Sequence, residues 1–398
     1  MIQKPLSGIR VLDLTNVLAG PFCCHQLVHL GAEVIKVETV SEGDLARQLG
    51  ADEKLNEQCM GVSFLAQNAG KKSVTINLKD KQGKALFLKL VATADVLVEN
   101  FRPGVLKRLG VDYPVLKHVS ARLIYCAISG FGQDGPWVNR PAYDQIIQGV
   151  SGLMSVTGDT ASGPLRAGSP VADTIGGMTA AFAICAALNA RPRGSFIDVS
   201  MLESMLATMG WVVSNHLIAG TEPSAHGNDN PTSAPSGAFR TADGLLNIAA
   251  NKDEQWRLLS AHLGLQDLQT HPDFATRVRR KANRTRLAQK LEAVLVLRPA
   301  ELWAEELNAI GVPAGAVMTV PDILKHAQVA ERGFISRFDD VPGVGRDIEV
   351  VSTGLKINGK PPTVSSPPPE LGQNNTEIFS ELGLSADEIQ QLKDASVI

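Results

Sequence analysis

The first two hundred residues alternate between short apolar runs and longer mixed stretches, the rhythm of strands and helices taken in turn. The runs at 8–14 (GIRVLDL), 32–38 (AEVIKVE), 72–78, 95–99, 122–129 (RLIYCAIS) and 195–199 are nearly unbroken and apolar. Strands covered on both faces look like this. Between them, 22–30, 81–93, 103–109, the stretch from Asp173 to about 190, and 201–218 are spaced as helices. Strand, helix and strand repeated in this way predict an α/β fold on a parallel sheet. The pattern changes near residue 219. Residues 220–237 are loop by composition, too long for an ordinary connection. A hairpin is expected over 238–250, turning at Asp243-Gly244. Charged helices over 252–309, a strand at 312–318 and a helix at 320–326 complete a smaller α+β domain over 220–325. From 333 onward the chain reads as short strands with Gly and Pro turns, an extended 365–370, and a last helix from about Ser385.

Composition narrows the function classes. The chain has 398 residues, 44% hydrophobic and 20% charged, with a net charge of −3. That is ample for a large core and offers no basic excess for nucleic acid. Five cysteines, an odd and low count, fit a reducing compartment. No signal-peptide pattern opens the sequence and no run of about 18 uncharged apolar residues is seen. The expectation is a cytoplasmic protein without a membrane span.

Several motifs carry candidate chemistry. Asp173 precedes Thr-Ile-Gly-Gly and the apolar run 178–188, the place of a helix N-cap. Free N–H groups and the positive helix end favour an ionised carboxylate there. Gly176 and Gly177 would bare the first turn for a ligand. Taken locally, Asp173 is a cap and nothing more. Residues 130–135 (GFGQDG) spell GxGxxG after a strand, but Pro136 and Pro141 deny it the helix that a dinucleotide site needs. His25 and His29, four apart beside Cys23 and Cys24, suit either a packed core helix or two zinc ligands. No third ligand motif accompanies them, so no metal is expected. Gly70-Lys71-Lys72-Ser73 lacks a Walker frame; it is a solvated turn or a phosphate contact. Asn100-Phe101-Arg102-Pro103-Gly104 follows a strand end, where open α/β sheets bind ligands. It is a plain Pro-Gly turn, or a place where a base stacks and an arginine holds phosphate.

Together these pieces resemble the class III CoA-transferases, the CaiB/BaiF type that includes formyl-CoA transferase and carnitine CoA-transferase. The resemblance runs through LSGIRVLDLTNVLAGP, GAEVIKVE, Gly43-Asp44-Leu45-Ala46-Arg47, NAGKKSVTINL, DVLVENFRPGVLKRLG, AYDQIIQGVSGLMSVTG, VADTIGG and LGQNNTEIFSELGLS, in the family's order. It implies a Rossmann-like large domain from residues 1–219, to which 326–398 returns, and a small domain over 220–325. It also implies an interlocked-ring homodimer, no permanently bound cofactor, and coenzyme A or acyl-CoA as substrate. The family's catalytic aspartate falls on Asp173. Its CoA-binding positions fall on Leu18, Gln67, Asn68, Lys71, Asn100, Phe101, Arg102, Arg108, Tyr143 and Asp144.

A carboxylate nucleophile suits that chemistry, because every intermediate it forms is an activated acyl group. Water must be excluded; the loops 130–137 and 227–238 are the candidate shields. Departures narrow the substrate. Leu18 replaces a Gln of oxalate-acting members, and GNDNPTSAPSGAF follows His226 in place of a glycine run. Thr39 replaces an Arg that contacts CoA in some members. Succinyl-CoA as donor and a dicarboxylate such as itaconate, glutarate or malate as acceptor is the expectation, with Arg166 or Arg240 for the distal carboxylate. Two alternatives stand beside it. An α-methylacyl-CoA racemase would need a His where this chain has Tyr143, before Asp144. A non-catalytic CoA-binding protein would have no use for Asp173.

Overall fold

The computed structural model describes residues 4–398. It has two compact units. One comprises residues up to Leu153, Arg166–Thr221 and Ala327–Ile398; the other, Met154–Leu165 and Glu222–His326.

The first unit is built on a six-stranded sheet of β1 (Arg10–Leu14), β2 (Glu33–Glu38), β3 (Lys72–Thr75), β4 (Val96–Glu99), β5 (Ile124–Ser129) and β6 (Ser195–Ser200). The order is β3-β2-β1-β4-β5-β6 and every pairing is parallel, as in Rossmann-like sheets. Alternate side chains serve opposite faces. Val11, Val34, Val98, Cys126 and Ile128 join one core with Cys23, Leu27, Ala180 and Ile184 of two covering helices, Ala19–His29 and Val171–Asn189. Leu12, Ile35, Leu97, Tyr125 and Ala127 join the opposite core with Phe87 and Leu90 of the helix Lys81–Val91 and with Ile378 and Phe379 near the C-terminus. Burial on both faces explains why these strands read as unbroken apolar runs.

The second unit holds β7 (Ser236–Arg240), β8 (Leu245–Ala249) and β9 (Ala314–Ala316), antiparallel in the order β7-β8-β9. They pack with Trp256, Leu291, Trp303 and neighbours. The expected hairpin turns at Asp243-Gly244, and Asp243 Oδ1 accepts the Ala300 N–H at 2.8 Å. Arg277, Arg280 and Arg284 donate to the carbonyls of Thr232, Ala234 and Asn230, fastening the loop that enters β7. A last antiparallel pair, β10 (Ile335–Phe338) and β11 (Ile348–Val351), belongs to the first unit.

Three features differ from the sequence expectation. The helix expected over 201–218 is two, Met201–Thr208 and Trp211–Ala219, parted at Gly210 with φ +53°. The helix Val171–Asn189 is long and apolar enough to cross a membrane, a test the sequence reading expected no segment to meet. Its small residues are the reason: Ala172, Gly176, Gly177, Ala180 and Ala181 are buried against neighbouring elements. Gly176 and Gly177 also do not face a ligand. A Cβ at Gly177 would lie 2.4 Å from the Ala19 carbonyl oxygen, and one at Gly176 would lie 2.9 Å from Met201 Cγ. These glycines let helices meet closely. Gly177→Ala is therefore expected to cost about 1–3 kcal/mol, read as a lower urea midpoint at unchanged slope.

Candidate functional site

Asp173 is not the N-cap of its helix. The helix begins at Val171, after Pro170, and Asp173 is its third residue. The cap comes from elsewhere. Asp144, first residue of the short helix Asp144–Val150, turns its carboxylate to this N-terminus; Oδ1 accepts the N–H groups of Ala172 at 2.8 Å and Asp173 at 3.3 Å. Oδ2 accepts from Gln148 Nε2 at 2.6 Å. Gln148 then takes the Ala167 N–H at 2.8 Å and donates to the Ser169 carbonyl at 3.2 Å. Asp144 and Gln148, one turn apart, thus hold the whole approach to Asp173.

The electrostatic consequence reverses the expectation. A cap carboxylate would be stabilised as an anion, but Asp144 has taken those donors. The Asp173 carboxylate is half-buried and accepts no hydrogen bond among the described residues. Burial pushes its carboxyl up to about 7, and the nearby Asp144 charge adds to the rise. Such a carboxylate is poorly solvated and basic, two properties of a good nucleophile. Asp144→Asn keeps an acceptor for the cap and removes the charge. It is expected to lower the Asp173 pKa below about 7 and move the acidic limb of kcat/KM towards lower pH.

The other candidate residues fall into two groups. One lies where the strand order reverses, between β1 and β4. Asn16 N–H donates to Asn100 Oδ1 and Asn100 Nδ2 to the Asn16 carbonyl, both at 2.8 Å, so the loops beyond the two strands are locked together. Val17 has a φ of +66° and its N–H is held by Asp44 Oδ1 at 2.9 Å. That delivers Leu18 to the start of the helix Ala19–His29. Gly177 faces Ala19, and Asp173 lies one turn earlier on the same helix face. Beyond Asn100, Phe101 packs partly on the core, while Arg102 and Arg108 are exposed with no ion pair among the described residues. Tyr143 is 64% exposed.

The second group lies before β3. Gln67 and the buried Asn68 end the helix Val62–Asn68, each with a buried side-chain oxygen that lacks a hydrogen-bond donor. Lys71 differs from the expectation of a solvated turn or phosphate contact. Its ammonium is buried, 2.8 Å from Asp13 Oδ2 and 3.0 Å from the Pro21 carbonyl. Lys72 pairs with Glu33 and Glu377. The sheet consumes both charges.

Sequence reading missed the buried ions beneath these loops. Lys36 Nζ lies 2.8 Å from Asp44 and donates to the Thr15 carbonyl at 2.8 Å. Alternation along a strand could have flagged it, since Lys36 falls between apolar neighbours in EVIKVE. His25 and His29, ring centroids 4.5 Å apart, are buried with Cys23 and Cys24, and burial lowers the pKa of both histidines. The loop 130–135 turns without a helix, as Pro136 required. Gly132 N–H is held by Ser129 and Gln133 N–H by Asp198. Of the two arginines considered for a distal carboxylate, Arg240 is already paired with Glu292 at 2.7 Å. Arg166 is exposed, beside the Ala167 amide that Gln148 holds.

Comparison with known proteins identifies the family. The model of CoA-transferase family III matches residues 6–375. A succinyl-CoA:glutarate CoA-transferase of Mus musculus is 36% identical, over 100% of this chain and 91% of its own length. An acetyl-CoA:oxalate CoA-transferase of Acetobacter aceti is 38% identical over 87% of this chain and 90% of its own. A solved CaiB/BaiF family protein from Brucella suis superposes with a TM-score of 0.82 at 34% identity, covering 96% of this chain and 100% of that one. With a parallel sheet whose strand order reverses, and this match along nearly its whole length, the chain belongs to CoA-transferase family III and is a CoA-transferase.

Proposed function

We propose that this enzyme moves coenzyme A from an acyl-CoA donor, succinyl-CoA foremost, to a dicarboxylic acid, with Asp173 as nucleophile. One observation carries the reading: a half-buried carboxylate without a hydrogen-bond donor, on a helix end that another acid caps. The Asp173 carboxylate attacks the donor thioester carbonyl, giving a mixed anhydride and CoA thiolate. The thiolate attacks the aspartyl carbonyl, releasing the donor acid and leaving an aspartyl-CoA thioester. The acceptor carboxylate attacks that thioester and expels the thiolate again. The thiolate then takes the acceptor's acyl group, and the Asp173 carboxylate returns. Four exchanges balance without loss of the activated acyl bond.

Leu18, Gln67, Asn68, Asn100, Phe101, Arg102, Arg108 and Tyr143 frame the CoA site in this reading. Arg102 and Arg108 supply phosphate contacts, and the Lys71 pair with Asp13 shapes the wall rather than the charge. Arg166 takes the distal carboxylate of the acceptor, because its charge is uncommitted while that of Arg240 is not. A racemase reading lacks its second base: Tyr143 is a phenol and Asp144 is occupied as the cap. A second copy of the chain covers the helix Trp211–Ala219, which has no buried residue and exposes Leu217 at 76% and Ile218 at 86%. Light scattering tests the dimer. Oxalate and glutarate, the acids in the two relatives' names, are both dicarboxylates and differ in length. The test of function is a screen of acceptors from two to five carbons, itaconate and malate among them, against succinyl-CoA. A dicarboxylate should exceed its monocarboxylate analogue by about 10²-fold in kcat/KM, and Arg166→Ala should erase that margin. Equal rates with both classes would contradict the dicarboxylate assignment.

A further inference from the structure

Two carboxylates stand in one row across the sheet. The register pairs Glu99 of β4 with Ala127 of β5, and Ala127 with Asp198 of β6. All three side chains therefore leave the same face, with only a methyl group between the acids. Each acid holds the loop beyond a strand. Glu99 Oε2 accepts the Phe101 N–H at 2.7 Å, and Asp198 Oδ2 accepts the Gln133 N–H at 2.9 Å. Glu99 Oε1 also accepts from the Tyr125 hydroxyl at 3.3 Å. Glu99 is 6% exposed and has no cation partner among the described residues. A buried carboxylate without a cation is costly, and stability alone would favour an apolar residue there.

We propose that Glu99 is a positioning residue, setting the Asn100–Phe101–Arg102 turn to receive coenzyme A, and that it does so fully only when ionised. The inference rests on the reading that this turn contacts CoA. The groups facing Glu99 are few. They are the Phe101 amide beyond its own strand, Tyr125 of β5 and Asp198 of β6; Cys126 of β5 leaves the opposite face of the sheet. Burial raises its carboxyl to about 7, with the Asp198 charge adding and the Phe101 and Tyr125 hydrogen bonds opposing. The charge-assisted bond to Phe101 is about twice as strong as the neutral one. Protonation loosens the turn at Phe101 while Asn100 stays tied to Asn16. CoA affinity then falls as pH falls through the neutral range.

The test uses the Asp173→Asn enzyme, which takes the nucleophile's own titration out of the measurement. The Kd of free CoA is followed by calorimetry from about pH 6 to 8.5. It should rise about three- to tenfold towards the acid end. Glu99→Gln in that background should flatten the dependence, since an amide oxygen accepts the Phe101 N–H at every pH. Tyr125→Phe removes an opposing hydrogen bond and should move the midpoint upward. An unchanged pH dependence in Glu99→Gln overturns the proposal. Failure of the underlying reading looks different: Phe101→Ala and Arg102→Ala would then leave the Kd of CoA unchanged at every pH.

Discussion

Asp173→Asn is expected to lower CoA transfer by about 10⁴- to 10⁶-fold and at the same time to stabilise the protein above neutral pH. The first effect follows from loss of the nucleophile, because an amide cannot form the anhydride. The second follows from linkage. The folded-state carboxyl of Asp173 sits at about 7 against an ordinary 3.8, so folding disfavours its ionisation. Its contribution to stability is fully present below about pH 4 and is lost as pH rises through about 7. Removing the charge should recover about 2–4 kcal/mol at pH 8, allowing for the solvent that reaches the carboxylate, and almost nothing at pH 4. Thermal unfolding of both proteins at the two pH values measures the difference. Equal Tm shifts at pH 4 and pH 8 would mean that Asp173 is solvated like a surface acid. Its reactivity would then need another source.

Arg47→Ala should have the largest effect on stability, about 3–5 kcal/mol. Its guanidinium is fully buried and forks onto Glu38, with Nε to Oε2 at 2.7 Å and Nη2 to Oε1 at 2.8 Å. It also donates to the carbonyls of Cys59 and Pro369 and lies 3.6 Å above the Phe64 ring. One side chain therefore fastens β2, the loop before the Val62–Asn68 helix and the C-terminal segment. Truncation leaves Glu38 buried with only the Asp44 N–H and Ser73 hydroxyl as donors. Lysine cannot make the fork, so Arg47→Lys should fall between the two. The double change Glu38→Leu with Arg47→Met should regain most of the loss, because an apolar pair leaves no charge stranded. Urea denaturation of the three variants decides it, and a loss under about 1 kcal/mol for Arg47→Ala would contradict the clasp.

The sheet was legible because both of its faces are covered, which turns strands into apolar runs that polar helices interrupt. The position of Asp173 in chain order was legible too, but its environment was not. An Asp before an apolar run looks like a cap, and nothing local shows that Asp144, 29 residues earlier, has already supplied one. Pro170 was the signal, since proline often marks a helix start and would have placed Asp173 inside the first turn. The helix Asp144–Val150 went unseen because a short helix among glycines has little periodicity to display. Its one cue is the spacing of Asp144 and Gln148. The buried ions were illegible for a different reason. Lys36, Lys71 and Arg47 carry the letters of surface residues, and their partners are seen only in the fold: the loop after β2 turns back to pair Asp44 with Lys36 and Arg47 with Glu38, and the parallel register brings Asp13 of β1 to Lys71. The same register exposes the row of Glu99 and Asp198, whose positions in sequence are 99 residues apart.

The most direct measurement is the intact mass of the enzyme after mixing with succinyl-CoA, for wild type and Asp173→Asn, with peptide mapping of any adduct. A CoA-sized gain on the wild type alone, mapped to Asp173 and discharged by a dicarboxylic acceptor, is the expected result. No adduct with any of a panel of acyl-CoA donors, together with exchange of the α-proton into deuterated water, would contradict covalent transfer and turn the assignment to racemase chemistry.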